Sequence, residues 1–388
     1  MNIVLICNEY PPAPHGGIGT FVYNLARQLV MEGHHVHVIG FDPRVAEKIT
    51  NVEAGVIVSR LRSPYAGRWY LHWGNYDIAS HILNRIYLSR WVKKYCRLHG
   101  IELVESYDWS GPLIFHPDVP LLVRMHGAHS AHAFYEKKKA SRFLSLIEKR
   151  NLSIADALVG VSEHISALTL QATGLLGKNY TVIYNGVDTS VFRPMKDTKK
   201  SPKQILFAGT VSRRKGVYEL FHSMSFVFEK VPSAQLLLVG RLPVDEMVRQ
   251  SFVNELLSTL RPEYRKQVTF TDAMPYSEMP VLYNRAACAV FPSLAEAYGL
   301  TCAEAMACGT PVVMTSRASG PEIVENGVSG FLCEPSDSQS LAQALISLLS
   351  DGMMRERMGK NAVMQVRQKF DSRVSLRQNL AFYQKMLS

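Results

Sequence analysis

No two cysteines in this 388-residue chain stand in C-x-x-C spacing, and no stretch approaches the ~20 apolar residues that a membrane-spanning helix needs. The first absence removes the common zinc and dithiol motifs, and the second removes an integral membrane protein of the helical kind. The six cysteines (Cys7, Cys96, Cys288, Cys302, Cys308 and Cys333) fall within apolar strand or helix patterns. They read as reduced core thiols of a cytosolic protein. The opening Met-Asn-Ile-Val-Leu-Ile-Cys is too short an apolar run for a signal peptide. Repeats and low-complexity tracts are lacking too. A net charge of +10 calls for an acidic partner, and nucleic acid, anionic lipid and diphosphates all qualify on charge. Zinc-finger spacing and an aromatic RNP-like strand are missing, so no nucleic-acid role is expected.

What is present is a long chain with 47% hydrophobic residues, enough for two cores. Short apolar runs at 3–7, 35–41, 56–61, 103–107, 121–125, 157–161 and 181–184 alternate with amphipathic segments. A second series follows at 205–209, 235–240, 268–271, 288–291, 311–314 and 330–333. This alternation predicts an α/β chain with a parallel sheet built twice. The turn-rich Asn185-Gly-Val-Asp-Thr-Ser-Val-Phe-Arg-Pro194 between the series is the expected linker.

The richest stretch is Phe291-Pro-Ser-Leu-Ala-Glu296-Ala-Tyr-Gly-Leu-Thr-Cys-Ala-Glu304-Ala-Met-Ala-Cys-Gly309. The spacing predicts a strand stopped by Pro292, a loop carrying Glu296, and a helix from Leu300 to Cys308 ended by Gly309. At the helix start the unpaired N–H groups of Gly299, Leu300 and Thr301 suit a diphosphate. Glu304 is placed to accept from a ribose diol, and Glu296 from the hydroxyls of a hexose. Two other readings compete. Glu304 also suits a residue that merely complements the helix dipole, and paired carboxylates also occur in glycosidases. For the latter, eight steps at ~1.5 Å give roughly 12 Å, wider than the 5–9.5 Å such enzymes use.

Glu296-Ala-Tyr-Gly-Leu-Thr-Cys-Ala-Glu304 resembles the E-x7-E signature of retaining, nucleotide-sugar-dependent glycosyltransferases of family four. Pro292-Ser293, Gly309-Thr-Pro-Val-Val, Gly320-Pro-Glu-Ile-Val-Glu-Asn-Gly327 and Gly330-Phe-Leu agree with it. The resemblance implies the GT-B fold, two Rossmann-like doubly wound parallel-sheet domains facing a cleft that holds the donor. Residues 1–184 are then an acceptor-side domain, with 370–388 packing back on it, and 185–369 a donor domain. A lone dinucleotide-binding turn with Asp42 as the ribose acid does not fit: Gly16 comes nine residues after Cys7, and Val22 stands where the third glycine belongs.

The resemblance also implies roles. Gly17 belongs to a flexible glycine loop reaching donor phosphate or acceptor, and His126, after strand 121–125, sits near the donor hexose. In Phe207-Ala-Gly209-Thr210-Val-Ser-Arg213-Arg214-Lys215-Gly216, Lys215 and one arginine meet the departing diphosphate, as growing charge on its oxygens requires. Many relatives have arginine where this chain has Thr210, which leaves Arg214 preferred over Arg213. Met274 meets the base through its backbone, and Tyr298 joins Gly299, Leu300 and Thr301 at the donor. His126, Lys215 and Glu296 are the expected catalytic residues. No D-x-D pair occurs, so transfer without metal or other cofactor is expected, with same-face attack assisted by the leaving diphosphate.

UDP-glucose or UDP-N-acetylglucosamine is the expected donor, and a glycan, lipid-linked or small-molecule hydroxyl the acceptor. The aromatic run 65–76 and the basic, apolar-faced 136–150 allow peripheral contact with the inner membrane face, though core packing explains both as well. A sugar-nucleotide epimerase or hydrolase of the same fold, or a non-catalytic nucleotide-sugar-binding protein, are the alternative readings.

Overall fold

A computed structural model describes residues 1–13, 16–64, 78–135 and 139–388. The chain divides into two compact units, Met1–Asn185 with Ser375–Ser388, and Gly186–Val374. The aromatic run at 65–76 and residues 136–138 lie outside the described residues.

The first unit holds strands β1 (Asn2–Ile6), β2 (His35–Phe41), β3 (Ile49–Glu53), β4 (Val56–Leu61), β5 (Leu103–Tyr107), β6 (Leu121–Met125), β7 (Ala157–Gly160) and β8 (Thr181–Val182). They form one sheet in the order β3-β4-β2-β1-β5-β6-β7-β8. Neighbours run parallel except β3, which returns antiparallel on β4. That strand escaped the sequence because Ile49-Thr-Asn-Val-Glu lies exposed at the sheet edge and has no buried run. The central strand shows why the rest was legible. Ile3, Leu5 and Cys7 pack with Phe21, Leu25 and Leu29 of the helix Gly17–Met31, whereas Val4 and Ile6 pack with Leu88 and Val92 of the helix Ile78–His99. Burial on both faces is what a helix-covered parallel sheet demands.

From Ser375 onward the last helix, Ser372–Leu387, belongs to this unit, and its Leu376 and Tyr383 join the cluster around Ile3 and Leu5. Beneath it Arg124 of β6 is wholly buried. Its Nε donates to Glu105 Oε1 of β5 at 2.6 Å, and its Nη2 donates to Asn379 Oδ1 at 2.5 Å. The Tyr383 hydroxyl donates to the other Glu105 oxygen. Charge in a buried strand is tolerated only with partners of this kind. The basic helix Arg142–Ser153 likewise turns Leu144, Ile147 and Leu152 into the interior, so its apolar face is occupied by core packing.

In the second unit β9 (Ser201–Ala208), β10 (Gln235–Val239), β11 (Val268–Thr271), β12 (Ala286–Phe291), β13 (Val312–Thr315) and β14 (Gly330–Cys333) form a parallel sheet in the order β11-β10-β9-β12-β13-β14. The order reverses between β9 and β12, which makes the carboxyl ends of these two strands the topological switch point where open α/β sheets bind ligands. In the first unit the corresponding reversal falls between β1 and β5. All six cysteines are buried and unbridged, and no helix among the described residues is long and apolar enough to cross a membrane.

Candidate functional site

Beyond β12 the chain turns at Pro292 and enters the helix Leu300–Ala307 through Gly299, whose φ of 98° is left-handed. The left-handed backbone favours glycine there, and a Cβ, 2.7 Å from Met314 Cε, would also force that side chain to shift. The amides of Gly299, Leu300 and Thr301 have no acceptor among the described residues, and they carry the positive end of the helix dipole. Cys308 caps the helix and Gly309 follows at φ 73°, the stop the sequence predicts.

Beyond β9 come Gly209, exposed Thr210 and a single turn at Arg213–Lys215. Gly216 follows at φ 72°, where a Cβ would stand 1.9 Å from the Pro292 carbonyl oxygen. This contact presses the β9 loop onto the β12 loop, and the Leu294 amide donates across it to the Arg214 carbonyl at 2.9 Å. It brings together two residues 81 apart in sequence: Lys215 Nζ donates to Glu296 Oε2 at 2.5 Å, and Ser293 Oγ donates to the same oxygen at 3.1 Å. Burial pushes the Glu296 carboxyl up, but Lys215, Arg214 and the Ser293 hydroxyl outweigh it and hold the group ionised below its ordinary range. The arginines part ways here. Arg213 lies over the Tyr218 ring at 4.7 Å, while the charge of Arg214 acts on Glu296.

Glu304 departs from the expected open acceptor. It is 2% exposed, and its carboxylate accepts from the hydroxyls of Tyr276 at 2.8 Å and Tyr283 at 3.2 Å. The cause is the helix itself: Cys302 through Cys308 are all buried, so a carboxylate among them must find donors inside the fold. Burial pushes Glu304 up to about 7 even against those two hydrogen bonds. Tyr298, also expected at the donor, has its ring packed edge-on against Phe370 at 6.2 Å and is 3% exposed. Met274 lies in the loop after β11, partly buried, two residues before Tyr276.

In the first unit His126 follows β6, half-buried and edge-on to Phe21 at 5.2 Å. Burial, then the charge of Arg124, lowers its imidazole to about 3, so the ring is neutral at any working pH. Its ring nitrogens have no partner among the described residues. Its backbone is fixed by a residue the sequence reading missed. Asp108, wholly buried beyond β5, accepts from the His126 amide at 2.9 Å and the Gly127 amide at 3.0 Å. Burial raises the Asp108 carboxyl to about 7. An acidic residue just past a buried strand, in Tyr107-Asp-Trp-Ser-Gly, was the available signal. Gly17 is not part of a flexible loop, contrary to expectation. It is the first residue of the helix Gly17–Met31, because apolar Ile18, Phe21, Val22 and Leu25 extend the helical period to that point, and the preceding Gly16 amide donates to Glu9 at 2.9 Å.

The chain is similar to glycosyltransferases along nearly its whole length. The glycosyltransferase family 4 profile matches residues 15–191, and the profile of glycosyl transferases group 1 matches 188–364. The protein belongs to glycosyltransferase family four and has the GT-B fold. It is 26% identical to a glycogen synthase of Mycobacterium tuberculosis, over 96% of this chain and 91% of that one. It is also 26% identical to an uncharacterized glycosyltransferase of Methanocaldococcus jannaschii, over 95% and 94%. Among solved structures, sucrose-phosphate synthase from Thermosynechococcus elongatus aligns with a TM-score of 0.80 at 23% identity, covering 99% and 98% of the two chains. Anabaena HepE in complex with UDP-glucose aligns at 0.76 and 18%, covering 99% and 100%.

Proposed function

We propose that this glycosyltransferase moves a hexose from a nucleoside diphosphate sugar, UDP-glucose or UDP-N-acetylglucosamine, to a glycan or lipid-linked hydroxyl in polysaccharide or glycoconjugate biosynthesis. The observation that carries the reading is the Lys215–Glu296 pair beside the unpaired amides of Gly299, Leu300 and Thr301. Those amides, with Gly209 and Thr210, receive the diphosphate, and Lys215 and Arg214 take up the charge that grows on it as the glycosidic bond breaks. Glu296 accepts from hexose hydroxyls. Glu304 accepts from ribose hydroxyls that replace the Tyr276 hydroxyl, and Met274 meets the base through its backbone. His126, neutral and with its ring unpaired among the described residues, exchanges hydrogen bonds with a sugar hydroxyl. The anomeric configuration is retained, and no divalent cation takes part, on the ground that the sequence has no D-x-D pair. The UDP-glucose complex of Anabaena HepE supports the choice of base and sugar.

Two measurements test this. UDP is expected to raise the melting temperature in the presence of EDTA, since a ligand bound only to the native state stabilises it. A shift seen with nicotinamide dinucleotides alone would end the transferase reading, and loss of the UDP effect in EDTA would end the metal-free part. In calorimetry, Glu304→Gln should weaken UDP and UDP-glucose alike, while Glu296→Gln weakens chiefly UDP-glucose. Each loss should be about 1.5–3 kcal/mol, the worth of a charged hydrogen bond. Equal losses of UDP affinity in both variants would refute the division of roles.

A further inference from the structure

We infer that the acceptor is an uncharged pyranose, stacked on Trp109 in a cavity at the β1–β5 switch point of the first unit; this rests on the glycosyltransferase reading and specifies its second substrate. The cavity has a volume of about 380 Å³ and is lined by Asn8 and Glu9 beyond β1, Tyr107 and Trp109 at the end of β5, and Asn84 and Arg85 of the helix Ile78–His99, among others. That size lies within the range of small-ligand sites, and the position is where an open parallel sheet receives one.

The turn that carries Trp109 is built to hold still. Ser110 has φ 58°, in the left-handed region that residues bearing a Cβ rarely adopt, and Gly111 has φ 52°. Two groups fix this conformation. Arg85 Nε donates to the carbonyls of Ser110 at 3.0 Å and Gly111 at 2.9 Å, and its Nη2 donates again to Ser110 at 2.5 Å. Glu148, wholly buried, accepts from the Ser110 amide at 2.9 Å and from the amides of His129 and Ser130 at 2.7 and 3.0 Å. Asp108 holds the neighbouring His126–Gly127 turn in the same way.

The residue so fixed is a tryptophan that stays 38% exposed. His129 and His132 meet its ring at 5.6 and 5.3 Å but at steep angles of 70° and 66°, and no ring among the described residues lies parallel to it. An indole fixed through its backbone turn and partly open to the cavity offers apolar surface that complements the C–H face of a pyranose. Polar groups for the hydroxyls stand in the same wall: Asn84 accepts from Ser63 Oγ at 2.8 Å with its amide nitrogen unengaged among the described residues, and Glu9 uses one carboxylate oxygen on the Gly16 amide.

A phosphorylated acceptor fits worse. Arg85 is the only guanidinium in the lining among the described residues, and it is turned to carbonyls: besides those of Ser110 and Gly111, its Nη1 donates to the His81 carbonyl at 2.8 Å. It therefore presents no fork for an anion, and Glu9 adds a negative charge.

Saturation-transfer NMR on the full chain, with UDP present, tests the inference using methyl α-glucoside, α-galactoside, α-mannoside and N-acetylglucosaminide, with dodecyl phosphate as the anionic, lipid-like comparator. At least one pyranoside should be saturated, most strongly on the protons of one ring face. That signal should fall at least fivefold in Trp109→Ala and largely return in Trp109→Phe. A second readout needs no alanine variant: the indole N–H resonance missing from Trp109→Phe should shift when the pyranoside is added to the wild type. Absence of any pyranoside signal, an unmoved indole resonance, or preference for dodecyl phosphate would each overturn the inference. Stabilisation by UDP in the same samples reports separately on the donor reading.

Discussion

Lys215→Ala is expected to lower turnover about a hundredfold or more while weakening donor affinity much less. In the ground state the ammonium has a partner already, Glu296 at 2.5 Å with Ser293 on the same oxygen. On the proposed mechanism its additional work comes when the sugar–phosphate bond lengthens and the diphosphate gains charge, which in the variant Arg214 must meet without it. Removing it also leaves Glu296 without its main counter-charge, so some loss of sugar affinity accompanies the loss of rate. Steady-state kinetics alongside calorimetric affinity separates the two. Turnover within tenfold of wild type in a folded variant, or a loss confined to affinity, would remove Lys215 from the chemistry.

Arg124→Ala should destabilise the first unit by about 3–5 kcal/mol in urea unfolding, the cost of leaving one member of a buried pair behind. Glu105 would keep the Tyr383 hydroxyl but lose the cation, and Asn379 would lose its donor. The control is a double replacement, Arg124→Met with Glu105→Leu, which removes both charges at similar volume and should recover most of the stability. If Arg124→Ala costs under about 1 kcal/mol, the pair is not part of what holds the last helix on the sheet.

Strands and helix ends are legible in the sequence because they are local, whereas pairings between distant residues are not. Runs such as Ile3-Val-Leu-Ile and Val312-Val-Met are strands because strands buried on both faces need uninterrupted apolar residues, and that signal is local. Glycine at 299 and 309 was legible for the same reason, since a helix start and stop are local events. Lys215 and Glu296 were each recognisable, but not their pairing, because nothing local says that Gly216 rests on the Pro292 carbonyl. Burial of Glu304 against Tyr276 and Tyr283 is likewise decided by the tertiary fold. Asp108 acts on backbone amides, which every residue has, so its targets leave no mark on the sequence. Gly17 was misplaced because a glycine at the start of a helix and one in a loop look alike.

The last helix also sets a schedule for synthesis. Arg124 meets Asn379 across 255 residues of chain, and Glu105 meets Tyr383 across 278. At about 5–20 residues per second, β6 leaves the ribosome roughly 10–50 seconds before its partners are made. During that interval the sheet's own cation and carboxylate have each other but lack the amide and hydroxyl that complete them, and the groove later filled by Leu376 and Tyr383 stands open. The second unit is translated in the meantime, so the first unit is completed only after the second has been made.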